Sequence, residues 1–433
     1  MSRTILLQKA TRIEGNANVQ IEMDGDRVKS ARFLVQEFRG FEGFLKGKAV
    51  NQVPSAVSRI CGLCCVAHQV ASVRAVEEAL GIRTPQSVEA LRDVMVLGEW
   101  ISSHSLSYFF LAMPDLVGAS GGVFEMVKNQ PKISAEAFAL RACGMRIVEL
   151  LGKRTIHPVT VGLGRFLSPP QESDLIEIQN QARIARKKAE SLIMELGETY
   201  EPSESIQLPE DLQVNFVTYS RDYGQDRFVV YDRQGTVRSE FSRTDMLDHV
   251  GEISTEWTLA KTPYLKQFGF PDGIMLVGPL SRSFSNQGFM CDEEVAHFKL
   301  SEFVADRAML TLDKYDVCRL LEIFWAAKRI EALIERMCQD EAISEIDTDV
   351  SGRGIGVLEA PRGVLTHSYL VNRGFIERMN LLVATQFNNA YINVLITDLV
   401  QNHMNGGAIS PEGEYLVGRC IRLFDPCLSC ATH

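Results

Sequence analysis

Four cysteines occur in two pairs of equal spacing at opposite ends of the 433-residue chain, Cys61-Gly62-Leu63-Cys64 and Cys427-Leu428-Ser429-Cys430. A C-x2-C at the start of a helix puts two sulfurs on one turn, where both can ligate one ion. Together the pairs offer four thiolates. Soft thiolates suit zinc, copper(I), nickel or iron, and the plainest outcome is a tetrahedral structural zinc site. Such zinc knots usually join neighbouring segments, whereas these pairs meet only if the fold brings its two ends together. Cys65, Cys143, Cys291, Cys318, Cys338 and Cys420 lack ligand spacing and read as core or surface thiols. Several charged groups accompany the pairs. Read alone, Glu14 is a strand-end carboxylate, Arg362 in Pro361-Arg362-Gly363 a surface ion pair, His68 a satisfied core histidine, and Asp425 a turn cap before Pro426.

These groups need elements to hold them. Asn18 to Met23 and Arg27 to Glu37 alternate apolar and polar residues about Asp24-Gly25-Asp26, a hairpin signal. Ser55 to Gly81 reads as a loop entering a helix, with Val66, Val70, Val73, Val76 and Leu80 at helical spacing. Further helices are expected over Ser87 to Met113, closed by Pro114, and over Ala135 to Leu151 and Glu172 to Tyr200. Residues 201–290 read as an irregular α+β excursion, and Cys291 to Cys338 as helical. Asp347 to Thr366 is Gly-rich, Phe375 to His403 mostly helical, and Pro411 to Leu423 a last short helix. The expected fold class is mainly α with minor β (α+β), as one domain over 1–433: an N-terminal hairpin (16–37), a helical core (55–200 and 291–433) and the excursion between.

A composition of 45% hydrophobic and 23% charged residues can bury a core, and the net charge of -10 disfavours nucleic acid and anionic membranes as partners. No apolar run reaches the roughly 18 residues a membrane span needs; Leu106 to Leu116 comes nearest. The amino-terminal residues lack a signal-peptide pattern, and scattered cysteines with two C-x2-C pairs suggest reduced thiols. The expected location is cytoplasmic.

In sequence, the first pair reads Arg59-Ile60-Cys61-Gly62-Leu63-Cys64-Cys65-Val66-Ala67-His68 and the second Asp425-Pro426-Cys427-Leu428-Ser429-Cys430-Ala431-Thr432-His433. With Arg12-Ile13-Glu14-Gly15, Arg39-Gly40-Phe41-Glu42 and Glu359-Ala360-Pro361-Arg362-Gly363, they resemble the large subunit of nickel-iron hydrogenases, most of all its soluble, cofactor-coupled branch. The resemblance spans the chain and implies the hydrogenase large-subunit fold and reversible heterolytic oxidation of H2. Nickel would be held by Cys61, Cys64, Cys427 and Cys430, with an iron carrying two cyanides and one carbon monoxide sharing Cys64 and Cys430. Cys427 would take the proton and pass it to Glu14. Arg362 would lie over the open metal position, held by Asp425, beside Pro361. His68 would hydrogen-bond a bridging sulfur, and Thr385 a cyanide. Glu42, the Leu381 carbonyl and His433 would form a magnesium-type site. Two positions depart from the pattern: Ser103 precedes His104 where many relatives have Asp, and Ala384 precedes Thr385 where Pro is usual.

The chain has no spare cysteine spacing for an iron–sulfur cluster and no dinucleotide fingerprint followed by a suitable acidic residue. Electrons would therefore leave through an iron–sulfur small subunit, and by the branch resemblance through a flavin-containing NAD(P) diaphorase module, with a deazaflavin or heterodisulfide-reductase partner as the alternative. The competing functions are a non-catalytic subunit with a four-cysteine zinc site and a hydrogen-sensing homologue with slow turnover.

Overall fold

The computed structural model describes residues 2–7, 10–38, 40–119, 121–199, 205–222, 225–285, 288–336, 346–405 and 407–433. Arg39, Tyr200, Cys338 and Gly406, and with them parts of the expected segments, lie outside the described residues. The hairpin forms where the alternation requires it. Strand β2 (Ala17–Asp24) and β3 (Arg27–Val35) pair antiparallel with Asp24 opposite Arg27, so Gly25 and Asp26 form a two-residue turn with Gly25 at φ +61°. β1 (Ser2–Leu7) adds a third strand beside β2, which the expected hairpin did not include. Ala17, Val19, Ile21, Met23, Ala31, Phe33 and Val35 form the buried face.

Helix α1 (Cys65–Leu80) follows the first cysteine pair and stops at Gly81 in the left-handed region. The next helix is shorter than the apolar run suggested. α2 (Gln86–Ser105) gives way to a wide π turn over Leu106–Ala112, and Pro114 then sits in the first turn of a short helix, Met113–Leu116. α3 (Pro131–Gly152) packs beside α2, and α4 (Glu172–Thr199) beside α3. The excursion is α+β as expected: β4 (Phe216–Asp222), β5 (Gln225–Tyr231) and β6 (Val237–Ser242) form one sheet, and β7 (Val250–Thr255) and β8 (Thr258–Leu265) a second. α5 (Lys314–Glu335) returns to the helical layer against α2 and α4.

The largest departure from the sequence expectation lies in 347–382. This part of the expected helical core is not helical, and the helix does not begin at Phe375. Instead β9 (Gly352–Ala360), β10 (Gly363–Asn372) and β11 (Phe375–Leu382) form a three-stranded antiparallel sheet inside the helical core. Only then does α6 (Ala384–Asn402) start. The glycines that disguised β9 explain it. Gly352, Gly354 and Gly356 face α1, where a Cβ would sit 2.1, 1.9 and 1.9 Å from the carbonyl oxygens of Ala79, Ala75 and Ala71. Strand period two against helix period four leaves bare backbone on bare backbone. β9 and β10 then turn through Pro361 and Arg362 alone, Ala360 pairing Gly363. Arg362 therefore stands at a hairpin tip whose position relative to α1 is set by van der Waals contact.

α6 covers β3: its Asn393 and Thr397 side chains accept from the N–H groups of Phe33 and Ala31, each at 2.8 Å. α7 (Pro411–Leu423) has the expected bounds, and α8 (Leu428–Ala431) closes the chain inside the core.

Gly354→Val should therefore cost about 3 kcal/mol or more, because the strain falls on two backbones that cannot rotate away. Chemical denaturation of the purified chain measures it; a stability within 0.5 kcal/mol (about the surface-substitution range) would refute the close-contact reading.

Candidate metal centre

The expected convergence of the two cysteine pairs is present. Cys61 and Cys64 leave a 3-10 turn (Ser58–Ile60) and lead into α1, with Cys64 as its N-cap. Cys427 and Cys430 flank the first turn of α8. The four sulfurs lie within 4.8 Å of one another and all are buried. Cys427 Sγ stands 3.2 Å from Cys61 Sγ and 2.8 Å from Cys430 Sγ. Hydrogen bonds from Cys427, Cys430 and Cys64 hold the Cys61 thiol well below the ordinary range, while burial pushes Cys427 and Cys430 well above it. Four buried sulfurs sharing what negative charge they carry form a donor set suited to soft metal cations. The other described cysteines stay apart: Cys65, Cys143, Cys318 and Cys420 are buried and Cys291 is exposed.

Arg362 reaches this cluster from its hairpin tip. Nη1 donates to Cys64 Sγ and to Ser103 Oγ, each at 3.3 Å, Nη2 to Asp425 Oδ1 at 3.0 Å, and Nε to the Asp425 carbonyl at 2.7 Å. Burial alone would lower the guanidinium pKa, but Asp425 and the sulfurs raise it well above the usual value. Asp425 thus holds the arginine rather than capping the turn. It does so at φ +48°, a left-handed conformation that Asp tolerates better than most residues. Ser103, at the position that departs from the family pattern, serves as a neutral partner. The turn is gripped from behind: Arg282 donates to the carbonyls of Ala360 at 3.0 Å and Pro361 at 2.9 Å, and is itself paired with Glu322 and Glu359.

Glu14 lies against the second cysteine pair. Its backbone bridges Cys427 in parallel, with Leu428 N–H donating to Glu14 O at 3.3 Å. Its carboxylate accepts from Ser429 N–H at 3.0 Å and from the Ser429 hydroxyl. Arg12, in the same motif, points elsewhere, to the Leu111 carbonyl exposed by the π turn (2.7 Å) and to Asp115. Thr385 Oγ1 accepts from Cys427 N–H at 2.9 Å, so α6 also pins the second pair.

The second expected ion site gathers around the terminal histidine. His433 Nδ1 donates to the Cys430 carbonyl at 2.8 Å, and Nε2 lies 3.6 Å from Glu42 Oε1. Leu381 N–H donates to the same Glu42 oxygen at 3.0 Å. Burial raises the Glu42 pKa, but His433, the Leu381 N–H and Lys261 together bring it below its ordinary value. Lys261 Nζ lies 3.5 Å from Glu42 Oε2 and 3.7 Å from Glu252 Oε2. Leu381 meets Glu42 through its N–H and not through the expected carbonyl, so among the described contacts only the Glu42 carboxylate and the His433 imidazole are candidate ligands here, with the Lys261 ammonium beside them.

His68 departs from expectation. It makes no hydrogen bond to a sulfur. Nδ1 pairs with His367 Nε2 at 3.0 Å, His367 Nδ1 with the Tyr369 hydroxyl at 2.6 Å, and Tyr369 donates to Ser72 Oγ at 2.8 Å. His68 Nε2 has no partner among the described residues, and burial holds the ring neutral with a pKa of about 4. The reason is β10, an element absent from the sequence reading, which carries His367 and Tyr369 across α1.

Sequence reasoning also missed Glu99, Ser103 as a partner, Ser429 and His367. Glu99 left one signal: a charge among the apolar residues of α2, four positions before Ser103. Burial pushes its pKa to about 8 against the opposing pull of two N–H donors, Val66 and Ala67.

The family profile described as nickel-dependent hydrogenase matches residues 39–145 and 218–433, and one described as HoxL-like matches 4–38. One component of the F420-non-reducing hydrogenase of Methanothermobacter thermautotrophicus is 30% identical, over 99% of this chain and 94% of its own length. The NAD-reducing hydrogenase HoxS subunit beta of Cupriavidus necator is 28% identical, over 100% of this chain and 95% of its own. Among solved structures, an NAD+-reducing NiFe-hydrogenase in the H2-reduced state superposes with a TM-score of 0.89 at 27% identity, covering 100% of this chain and 99% of that one.

Removing Arg362 leaves Asp425 a buried, unpaired charge. Arg362→Met should cost about 3–5 kcal/mol, and adding Asp425→Asn should recover part of that loss. A denaturant double-mutant cycle measures it; strictly additive losses would show the two side chains to be uncoupled.

Proposed function

Because the chain belongs to the nickel-dependent hydrogenase family, we propose that it is the catalytic subunit that oxidises H2 reversibly to protons and electrons. The observation that carries this reading is the meeting of four buried thiols from the two ends of the chain under the guanidinium of Arg362. A structural zinc site has no use for a buried arginine aimed at one of its sulfurs. A nickel–iron pair, with cyanide and carbon monoxide on the iron, supplies heterolytic cleavage of H2 when bound. Cys61 and Cys427 would be terminal ligands of nickel, and Cys64 and Cys430 would be shared with iron.

The chain's own groups then divide the work. Arg362 keeps a fixed positive charge over the sulfurs, oriented by Asp425 and by the Pro361 turn. Thr385 steadies the Cys427 backbone, and its hydroxyl would be the hydrogen-bond donor to a cyanide. Cys427 Sγ accepts the proton and Glu14 takes it onward. Supporting the last step, the Glu14 carboxylate is anchored to Ser429, between the two cysteines of the second pair. Magnesium or a similar ion would be held by Glu42 and His433, clasping the end of the chain.

Electrons would leave near the first pair, where Gly62 is exposed and Ile156 and Val159 are 46% and 45% exposed. An iron–sulfur small subunit docked there fits both the exposed apolar surface and the missing cluster ligands. The names of two relatives, one from an NAD-reducing and one from an F420-non-reducing hydrogenase, favour a soluble electron acceptor, through a diaphorase module for NAD(P) in the first case. A cytoplasmic complex fits this reading. Among the described residues no helix is long and apolar enough to cross a membrane.

Two measurements test the proposal. The native complex should contain nickel and iron in roughly equal amounts by elemental analysis, with infrared bands of bound carbon monoxide and cyanide. Zinc alone would overturn the assignment, and turnover too slow to support metabolism would favour a hydrogen sensor. Glu14→Gln should lower H2 oxidation by about 10²–10⁴-fold with metal content and infrared bands retained. Unchanged turnover would remove Glu14 from the proton route.

A further inference from the structure

A helix start leaves N–H groups without partners, and the N-cap side chain normally accepts from the second or third of them. At α1 the N-cap is Cys64, and it makes no side-chain capping bond. Its sulfur lies with the other three in the buried cluster instead. The open donors are the Val66 and Ala67 N–H groups, buried where no solvent replaces the missing partner. They are satisfied from another helix. The two carboxylate oxygens of Glu99 on α2 accept from Val66 N–H at 2.8 Å and from Ala67 N–H at 3.1 Å. Glu99 is 3% exposed.

The same stretch of α2 holds the other loop of the site. Trp100 Nε1 donates to the Glu359 carbonyl at 3.1 Å, just before the hairpin tip, and Ser103 Oγ accepts from Arg362. Residues 99, 100 and 103 fall on adjoining positions of one helical face. α2 therefore spaces the Cys64 turn and the Arg362 turn from a single rigid element.

We propose that Glu99 is a positioning residue: it caps α1 in place of Cys64 and so presets the Cys61-x2-Cys64 turn for metal. This rests on the metal-centre reading and adds to it the group that prepares one half of the donor set. A bidentate acceptor of this length is required. An aspartate ends one methylene short, and an alanine leaves two buried donors open.

The test uses the full chain purified without nickel and iron, with Co2+ as the probe. Thiolate-to-cobalt absorption reports binding, and hydrogen exchange at Val66 and Ala67 reports the cap. Glu99→Ala and Glu99→Asp should each weaken Co2+ binding about 10–100-fold and speed exchange at both amides, whereas Glu99→Gln, which keeps one acceptor oxygen at full reach, should fall between them and the parent and speed exchange at one amide more than at the other. Glu99→Gln retains an acceptor oxygen, so a gross folding defect in the alanine variant does not decide the matter. The proposal is overturned if Glu99→Asp matches the parent while Glu99→Gln is weak, because charge would then matter and hydrogen-bond reach would not. It is equally overturned if all three variants bind like the parent. Failure of the parent chain itself to give a thiolate–cobalt band would overturn the metal-centre reading, and this one with it.

Discussion

Four sulfurs from the two ends of one chain, buried within 4.8 Å of each other, impose the condition that the rest of this structure meets. Buried thiols at that separation cannot all ionise, and they cannot all stay neutral if they are to hold a metal. The protein responds by surrounding them with fixed donors and one permanent cation. Arg362 supplies the charge, and Asp425 keeps it from being an unpaired ion in the core. Neither group could be left to a flexible loop, because a buried charge misplaced by an ångström loses its partner and retains its desolvation cost.

Rigidity comes from contacts that use little side chain. The first cysteine pair opens α1, and α1 rests on the backbone of β9 through three glycines. β9 runs directly into the Pro361-Arg362 turn, so the distance from Cys64 to Arg362 is fixed by one helix–strand contact. Arg282, held between Glu322 and Glu359, closes the back of that turn. The second pair is placed by other means. Glu14 forms a backbone bridge to Cys427, Thr385 accepts from the Cys427 amide, and His433 folds back onto the Cys430 carbonyl. Two independently braced halves therefore meet at the sulfurs, which explains why motifs so far apart in sequence share one site.

Polar groups near the centre sort by how they meet burial. His68 and His367 stay neutral in a closed chain with Tyr369 and Ser72. Glu42 has a cationic surrounding and stays ionised. Glu99 spends its lone pairs on a helix start. The site thus contains several titratable residues with different tasks, and proximity to the sulfurs alone does not tell them apart.

Local chemistry was readable in the residues. The Asp24-Gly25-Asp26 turn, the short helix from Pro411 to Leu423 and the two C-x2-C pairs all depend on neighbours a few positions away, and each lies where its pattern puts it. The motif groups Glu14, Arg362, Asp425, Glu42 and His433 were legible as types of residue in a recurring order. The β9–β11 sheet was not, since a strand with glycine at every second position looks like a loop until a helix backbone is laid against it. Nor was the partner of His68, which sits on that hidden sheet, or the task of Glu99, which is set by a helix start 33 positions away. Residue type and spacing determined which groups could do chemistry. Only the packing of distant backbones decided which of them touch, because contact between remote segments depends on shape that no short stretch of sequence carries.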